Sequence, residues 1–165
     1  NTVPELKVKQ AAVFDYVKKG GNVIVQYNTS RGLVLEENLA PYKLELSRDR
    51  ITDENAKVSF LNRDHELLNY PNKITSEDFD GWVQERGLYF PNKWAEEFTP
   101  VLSFQENGDD PMEGSLLVTK YGEGHYIYTG LSFFRELPAG VPGAYKLFTN
   151  MISIGKNDFE VEVKK

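Results

Sequence analysis

The chain carries two histidines, His65 and His125, and no cysteine. Without a thiol there is no thiolate nucleophile, no disulfide and no zinc site built on thiolate. His65 stands between Asp64 and Glu66, neighbours expected to raise its pKa. Neither histidine lies in an H-x-E or H-E-x-x-H spacing, so neither reads as a metal ligand. The preferred account is a solvated loop residue for His65 and a structural strand residue for His125. Carboxylates gather at Asp49, Asp53 and Glu54, and again in Glu106-Asn107-Gly108-Asp109-Asp110-Pro111. The second group lacks the D-x-D-x-D-G spacing and the distal Glu of a calcium loop, and reads as a turn. There is no G-x-S-x-G arrangement and no glycine-rich strand-to-helix loop to cradle a phosphate. The residues therefore point to no catalytic group, no metal and no cofactor.

Two segments are richer than a plain scaffold requires. One runs from Asp80 through Trp82, Arg86 and Tyr89 to Pro91, the other from Thr129 through Arg135 and Glu136 to Gly143. Both mix aromatics, glycines and an Arg–Glu pair. Such loops bind sugars or partner surfaces, because aromatic faces stack and guanidinium forks hydrogen-bond. The alternative is that the pairs Glu85/Arg86 and Arg135/Glu136 simply anchor long loops.

The elements that must position these loops read as mixed α/β. Thr2 is a fitting N-cap for a helix in which Pro4 takes the first turn, with Leu6, Val13, Phe14 and Val17 at helical spacing and Gly20-Gly21 beyond its end. Asn22 to Tyr27 follows as a buried β-branched strand. Further strands are expected over Leu44–Leu46, Val58–Leu61, Val83–Phe90 and Pro100–Phe104. A capped short helix is expected at Ile74–Phe79 and a helical turn at Trp94–Phe98. The clearest signal is a hairpin, Leu116–Tyr121 and His125–Thr129 around Gly122-Glu123-Gly124. Ser132–Val141 reads as a loop, Pro142–Ile154 as the last helix, and Phe159–Val163 as a strand or a tail.

A chain of 165 residues fits one domain, here residues 1–155 with a tail at 156–165. Net charge is −6 with scattered cations, so no basic face is offered to nucleic acid. No apolar run reaches the roughly 20 residues that span a bilayer. The chain opens on Asn1-Thr2-Val3-Pro4 without an initiator Met and reads as a processed or excised piece, with the strand that should precede its first helix missing. An uncovered sheet edge would then invite dimerisation or an upstream partner.

Three phrases carry a family resemblance. They are Val17–Thr29, with its Gly20-Gly21-Asn22-Val23-Ile24-Val25, then Gly81–Pro91, and Tyr128–Tyr145. Together they resemble the C-terminal region of bacterial LmbE-like (PIG-L) deacetylases, which is similar to class I glutamine amidotransferases and to ThuA-like domains. The resemblance implies a three-layer α/β sandwich, flavodoxin-like in class, with a mixed sheet. It also implies an upstream domain holding the deacetylase zinc motif, His-Pro-Asp-Asp, which does not occur here. By the same resemblance the amidotransferase nucleophile would fall on the turn Tyr27-Asn28-Thr29, which has no Cys. Its histidine would follow the strand Tyr126–Thr129, where Gly130-Leu131-Ser132 stands instead. A relay needs both groups in hydrogen-bond reach, so glutaminase chemistry is not expected.

What the resemblance implies is a non-catalytic accessory domain of a deacetylase acting on N-acetyl sugars, with a carbohydrate or an assembly partner. The expected surface holds Trp82, Arg86, Tyr89, Arg135 and Glu136, with Tyr27 and Asn28 at the vestigial turn. The resemblance also favours an exported or periplasmic parent. Two other readings stay open: a hydrolase built on carboxylates with His125, and a purely structural interface module.

Overall fold

Val23, Ile24 and Val25 form the middle of β1 (Asn22–Gln26), a β-branched stretch that pairs in parallel with β8 (Gly124–Thr129), Ile24 opposite Ile127. The structure is a computed structural model and describes residues 3–29, 31–35 and 39–156. β8 continues antiparallel onto β7 (Leu116–Tyr121), and β7 onto the short β5 (Thr99–Pro100). The result is a mixed four-stranded sheet in the order β1-β8-β7-β5. Two smaller antiparallel pairs accompany it: β2 (Leu44–Ile51) with β4 (Gly87–Trp94), and β3 (Lys57–Phe60) with β6 (Leu102–Gln105).

Strand alternation sends successive side chains to opposite faces of this sheet. Val23, Val25, Leu117, Tyr126 and Tyr128 join Phe14 of α1 (Leu6–Lys18) in one core, with Leu39, Leu44 and Phe98. Ile24, Leu116, Val118 and Ile127 join Leu147 and Met151 of α3 (Pro142–Ser153) in a second, larger core. The chain is thus mixed α/β, with a helix against each face of a mixed sheet.

The junctions explain the glycines. Gly20 ends α1 in the left-handed region (φ 98°), where a side chain would strain the backbone. Beyond it, the hairpin turn rests on the end of α1. Glu123 N–H donates to the Lys18 carbonyl at 3.1 Å, and a Cβ on Gly124 would lie 2.1 Å from the Gly21 oxygen. At the other end of the sequence, Gly143 in α3 approaches the 3₁₀ turn Ser76–Phe79 so closely that a Cβ would meet the Asp78 carbonyl at 1.7 Å. That turn has the capping box its sequence suggests, Thr75 with Asp78. Buried Asn150 of α3 ties down the neighbouring segment: its amide donates to the Leu67 and Asn72 carbonyls and accepts from the Asn72 N–H.

Several boundaries differ from those read in the sequence. The strand expected at Leu44–Leu46 runs to Ile51, because register shifts near Leu46 and Asp49 break the alternation that would reveal it. The extended stretch expected at Val83–Phe90 begins only at Gly87, since Gln84 takes a left-handed φ of 67°. Trp94 closes β4 opposite Leu44, so the helical turn expected at Trp94–Phe98 is a strand end and a turn. The loop at Ser132–Val141 contains a short helix, α2 (Phe133–Glu136). The proposed N-cap Thr2 and the segment Phe159–Val163 lie outside the described residues. Among the described residues no helix is long and apolar enough to cross a membrane.

Candidate functional site

Three non-glycine residues among those described hold a positive φ: Tyr27 (37°), Gln84 (67°) and Tyr89 (54°). Such backbone costs on the order of 1–3 kcal/mol and persists only where the surroundings enforce it. All three belong to one patch at the C-terminal end of the parallel strands. The Tyr27 ring meets the Tyr89 ring edge-on at 5.8 Å and the Phe134 ring at 5.1 Å. Arg135 lies over Phe134 at 5.0 Å and donates to the Gln84 side-chain oxygen. Its Nε also pairs with Glu85 at 3.0 Å.

The local backbone accounts for this convergence. Tyr27 N–H still donates to Thr129 O at 2.9 Å, so β1 ends in register and then turns. Asn28 is buried beneath the turn, its N–H 3.4 Å from the Tyr128 hydroxyl. Burial pushes the Tyr128 phenol far above its ordinary range, which keeps it a neutral partner. On the other side, Gly87 bridges to Leu131, and Leu88 N–H donates to Gly130 O at 3.0 Å. Gly130 admits no side chain, because a Cβ would fall 2.6 Å from the Phe90 ring and 2.8 Å from the Leu88 oxygen. These two glycines let β4 cross the end of β8 and deliver Tyr89 to Tyr27.

The residues singled out by sequence fall into two groups. Tyr27, Tyr89 and Arg135 are half-exposed and form the patch, joined by Phe134, which is 46% exposed. Phe134 was missed by sequence reading, although it lies inside the aromatic segment that drew attention to Arg135. Trp82, Arg86 and Glu136 are buried beneath it. Glu136 accepts from Val83 N–H at 2.9 Å and from the Ser132 hydroxyl at 3.1 Å. Burial raises its pKa despite those hydrogen bonds and the Arg86 and Arg135 charges. The Arg86 guanidinium donates to the Ala56 and Phe79 carbonyls and sits against the rings of Phe79, Trp82 and Phe104. Trp82 donates its indole N–H to Asp78 O at 3.0 Å. This group holds the loops together beneath the half-exposed patch.

The histidines lie elsewhere, on the side of the sheet where β8 begins. His65 accepts from Leu67 N–H at 3.1 Å, and His125 Nδ1 is 3.3 Å from Asn22 Oδ1. The expected rise of the His65 pKa is reversed: burial, and then the nearby His125, hold it below the ordinary value. Burial lowers His125 as well, against the opposing charge of Glu66. Among the described residues no group of three His, Asp or Glu side chains is arranged to hold a metal. A cavity of about 560 Å³ opens beside the 3₁₀ turn Ser76–Phe79, lined by Phe60, Arg63, Asp64, Asn69, Lys73 and Thr75 among others. It holds none of the strained residues, so the smaller aromatic patch is the stronger candidate site.

No family model and no curated protein matches the chain. Its fold is similar to that of solved structures. One is a cytoplasmic protein of Salmonella typhimurium, 14% identical with a TM-score of 0.55 over 90% of this chain. Another is a cold-adapted β-galactosidase of Rahnella sp. R3, 16% identical with a TM-score of 0.46, matched over 87% of this chain and 20% of the enzyme. The chain spans 64% of the Salmonella protein's length. At 14% identity the likeness to the Salmonella protein is one of fold.

Proposed function

We propose that this chain is a non-catalytic accessory domain whose Tyr27–Tyr89–Phe134 patch binds carbohydrate. The observation that carries the reading is the meeting of strained Tyr27 and Tyr89 with Phe134 in one partly exposed aromatic patch, which strained Gln84 joins through Arg135. Strain of this kind clusters where a protein grips a ligand, and aromatic faces with an adjacent guanidinium are what sugar rings stack on. The position agrees, because ligands of open α/β sheets sit beyond the carboxyl ends of the parallel strands.

The finer fold we assign is a three-layer, amidotransferase-like sandwich. By the resemblance, the nucleophile's turn of that fold, which follows a central strand, would fall at the end of β1, here the edge strand of the described sheet. Tyr27, with its positive φ, supports this reading: a strained corner would be kept, with an aromatic ring in the place of a thiol. No imidazole is near, since His65 and His125 lie at the opposite end of β8. The sugar would be an N-acetylated one, presented to a deacetylase domain of the same parent protein, and the parent would be exported or periplasmic.

Thermal melts of the chain with chitotriose test the binding reading. A ligand at about 100 times its dissociation constant adds roughly 2.7 kcal/mol. The expected outcome is a raised midpoint for the wild type and none for Tyr89→Ala or Tyr27→Ala. A cooperative melt unmoved by any N-acetylated sugar would overturn it in favour of an interface module.

A further inference from the structure

Beside the aromatic patch, Arg48 and Arg50 of β2 line a cavity of about 360 Å³ together with Leu88 and Tyr89. Both arginines are exposed, and neither guanidinium forms an ion pair or hydrogen bond among the described residues. No carboxylate belongs to the described lining of the cavity. In a chain of net charge −6 this is an unusual concentration of positive charge. Two guanidinium groups on one cavity repel each other, and a shared anion relieves that repulsion through charge-assisted, forked hydrogen bonds.

Tyr89 ties this cavity to the patch. Its left-handed φ takes it out of register with β2, so that Arg50 pairs with Leu88 and Asp49 with Phe90 while Tyr89 has no partner. The same side chain walls the arginine cavity and touches Tyr27. One ligand can therefore lay a sugar ring on the aromatics and reach the arginines with a neighbouring acidic group.

We propose that the ligand is an anionic N-acetylated glycan, whose carboxylate or sulfate is held by Arg48 and Arg50. This rests on the reading of the aromatic patch as a carbohydrate site. The arginines then set specificity for charge, and the aromatics supply affinity for any glycan of the right shape.

Calorimetric titration of the full chain at low salt separates the two claims. The probes are a hyaluronan tetrasaccharide, its carboxyl methyl ester, chitotetraose and a chondroitin sulfate tetrasaccharide. Wild-type protein should bind the hyaluronan fragment at least about tenfold more tightly than its ester, as expected for charge-assisted hydrogen bonds. The R48Q/R50Q variant should bind both alike, at the wild type's affinity for the ester. The preference should also shrink as salt is raised. Tighter binding of the chondroitin sulfate, lost in R48Q/R50Q, supports the proposal with sulfate as the anion. Equal affinity for acid and ester in the wild type would overturn it and leave the aromatic site standing. Failure of all four probes to bind would bring down both readings.

Discussion

Arg86 sits between Glu85 and Gly87 in a segment full of exposed-looking polar residues, yet it is 4% exposed. A buried cation is costly unless its donors are satisfied. Here they are met by two main-chain carbonyls and by three aromatic faces, with Asp53, Glu136 and Asp80 acting from further away. Burial still lowers its pKa, but an arginine has ample range to remain charged. The histidines have no such range. For both, burial favours the neutral ring, so the unfolded chain binds protons more readily than the folded one. Their contribution is complete above the ordinary imidazole value of about 6.5 and is lost as pH falls below it. Glu136 has the opposite sign, its contribution fading as pH rises through its raised value. Asp78 resists acid: burial pushes it up, but Lys146 at 2.6 Å and the Thr75 N–H outweigh this. The melting temperature should therefore drop between pH 7 and pH 5, and His125→Gln should flatten that slope. Equal slopes in variant and wild type would show that the imidazoles carry none of it.

Among the elements, α3 depends on how closely Gly143 can approach the 3₁₀ turn Ser76–Phe79. Gly143→Ala forces its methyl into the Asp78 carbonyl, and neither backbone can give way without moving Trp82, which hydrogen-bonds to the same oxygen. The expected loss is about 1–3 kcal/mol, read as a shift of several degrees in the melt; an unchanged midpoint would mean that the helix slides freely on the turn. Some of this architecture was legible in the sequence. The β7–β8 hairpin was, because alternation and a glycine turn agree over Leu116–Thr129. So was β1, whose β-branched run follows directly on the glycines that end α1. β2 was obscured because Arg48-Asp49-Arg50 carries charge on a strand with irregular register. The aromatic segments were legible as unusual, but composition does not separate rings that pack inward from rings that face a ligand. Trp82 and Phe133 are buried and Phe134 is exposed, and only the tertiary fold decides between them. The strain at Tyr27 and Tyr89 left no trace in residue type at all, since tyrosine is a poor occupant of that backbone region.

At the scale of the molecule, one sheet divides two cores. Leu116 and Leu117 are neighbours in β7, both fully buried, and they enter opposite cores. Truncating either to Ala should cost about 2–5 kcal/mol. Because the strand is common to both cores, each variant should lose a single cooperative transition at lower denaturant, without a second step. A biphasic curve in either variant would show that the two faces unfold separately.

β1 hydrogen-bonds to β8, roughly a hundred residues away in sequence, Asn22 facing His125. The strands of the hairpin, by contrast, are joined by two residues. Closing a long loop is entropically slower than zipping a local turn. The hairpin therefore has every reason to assemble first, and the N-terminal strand to arrive last. In the interval β8 offers a bare edge of unpaired backbone groups. During synthesis the roles reverse, for β1 leaves the ribosome long before its partner exists. The same parallel pairing that supports Tyr27 at its end thus makes the nascent chain's early strand a waiting one, most exposed to capture by a neighbouring copy when many are being made at once.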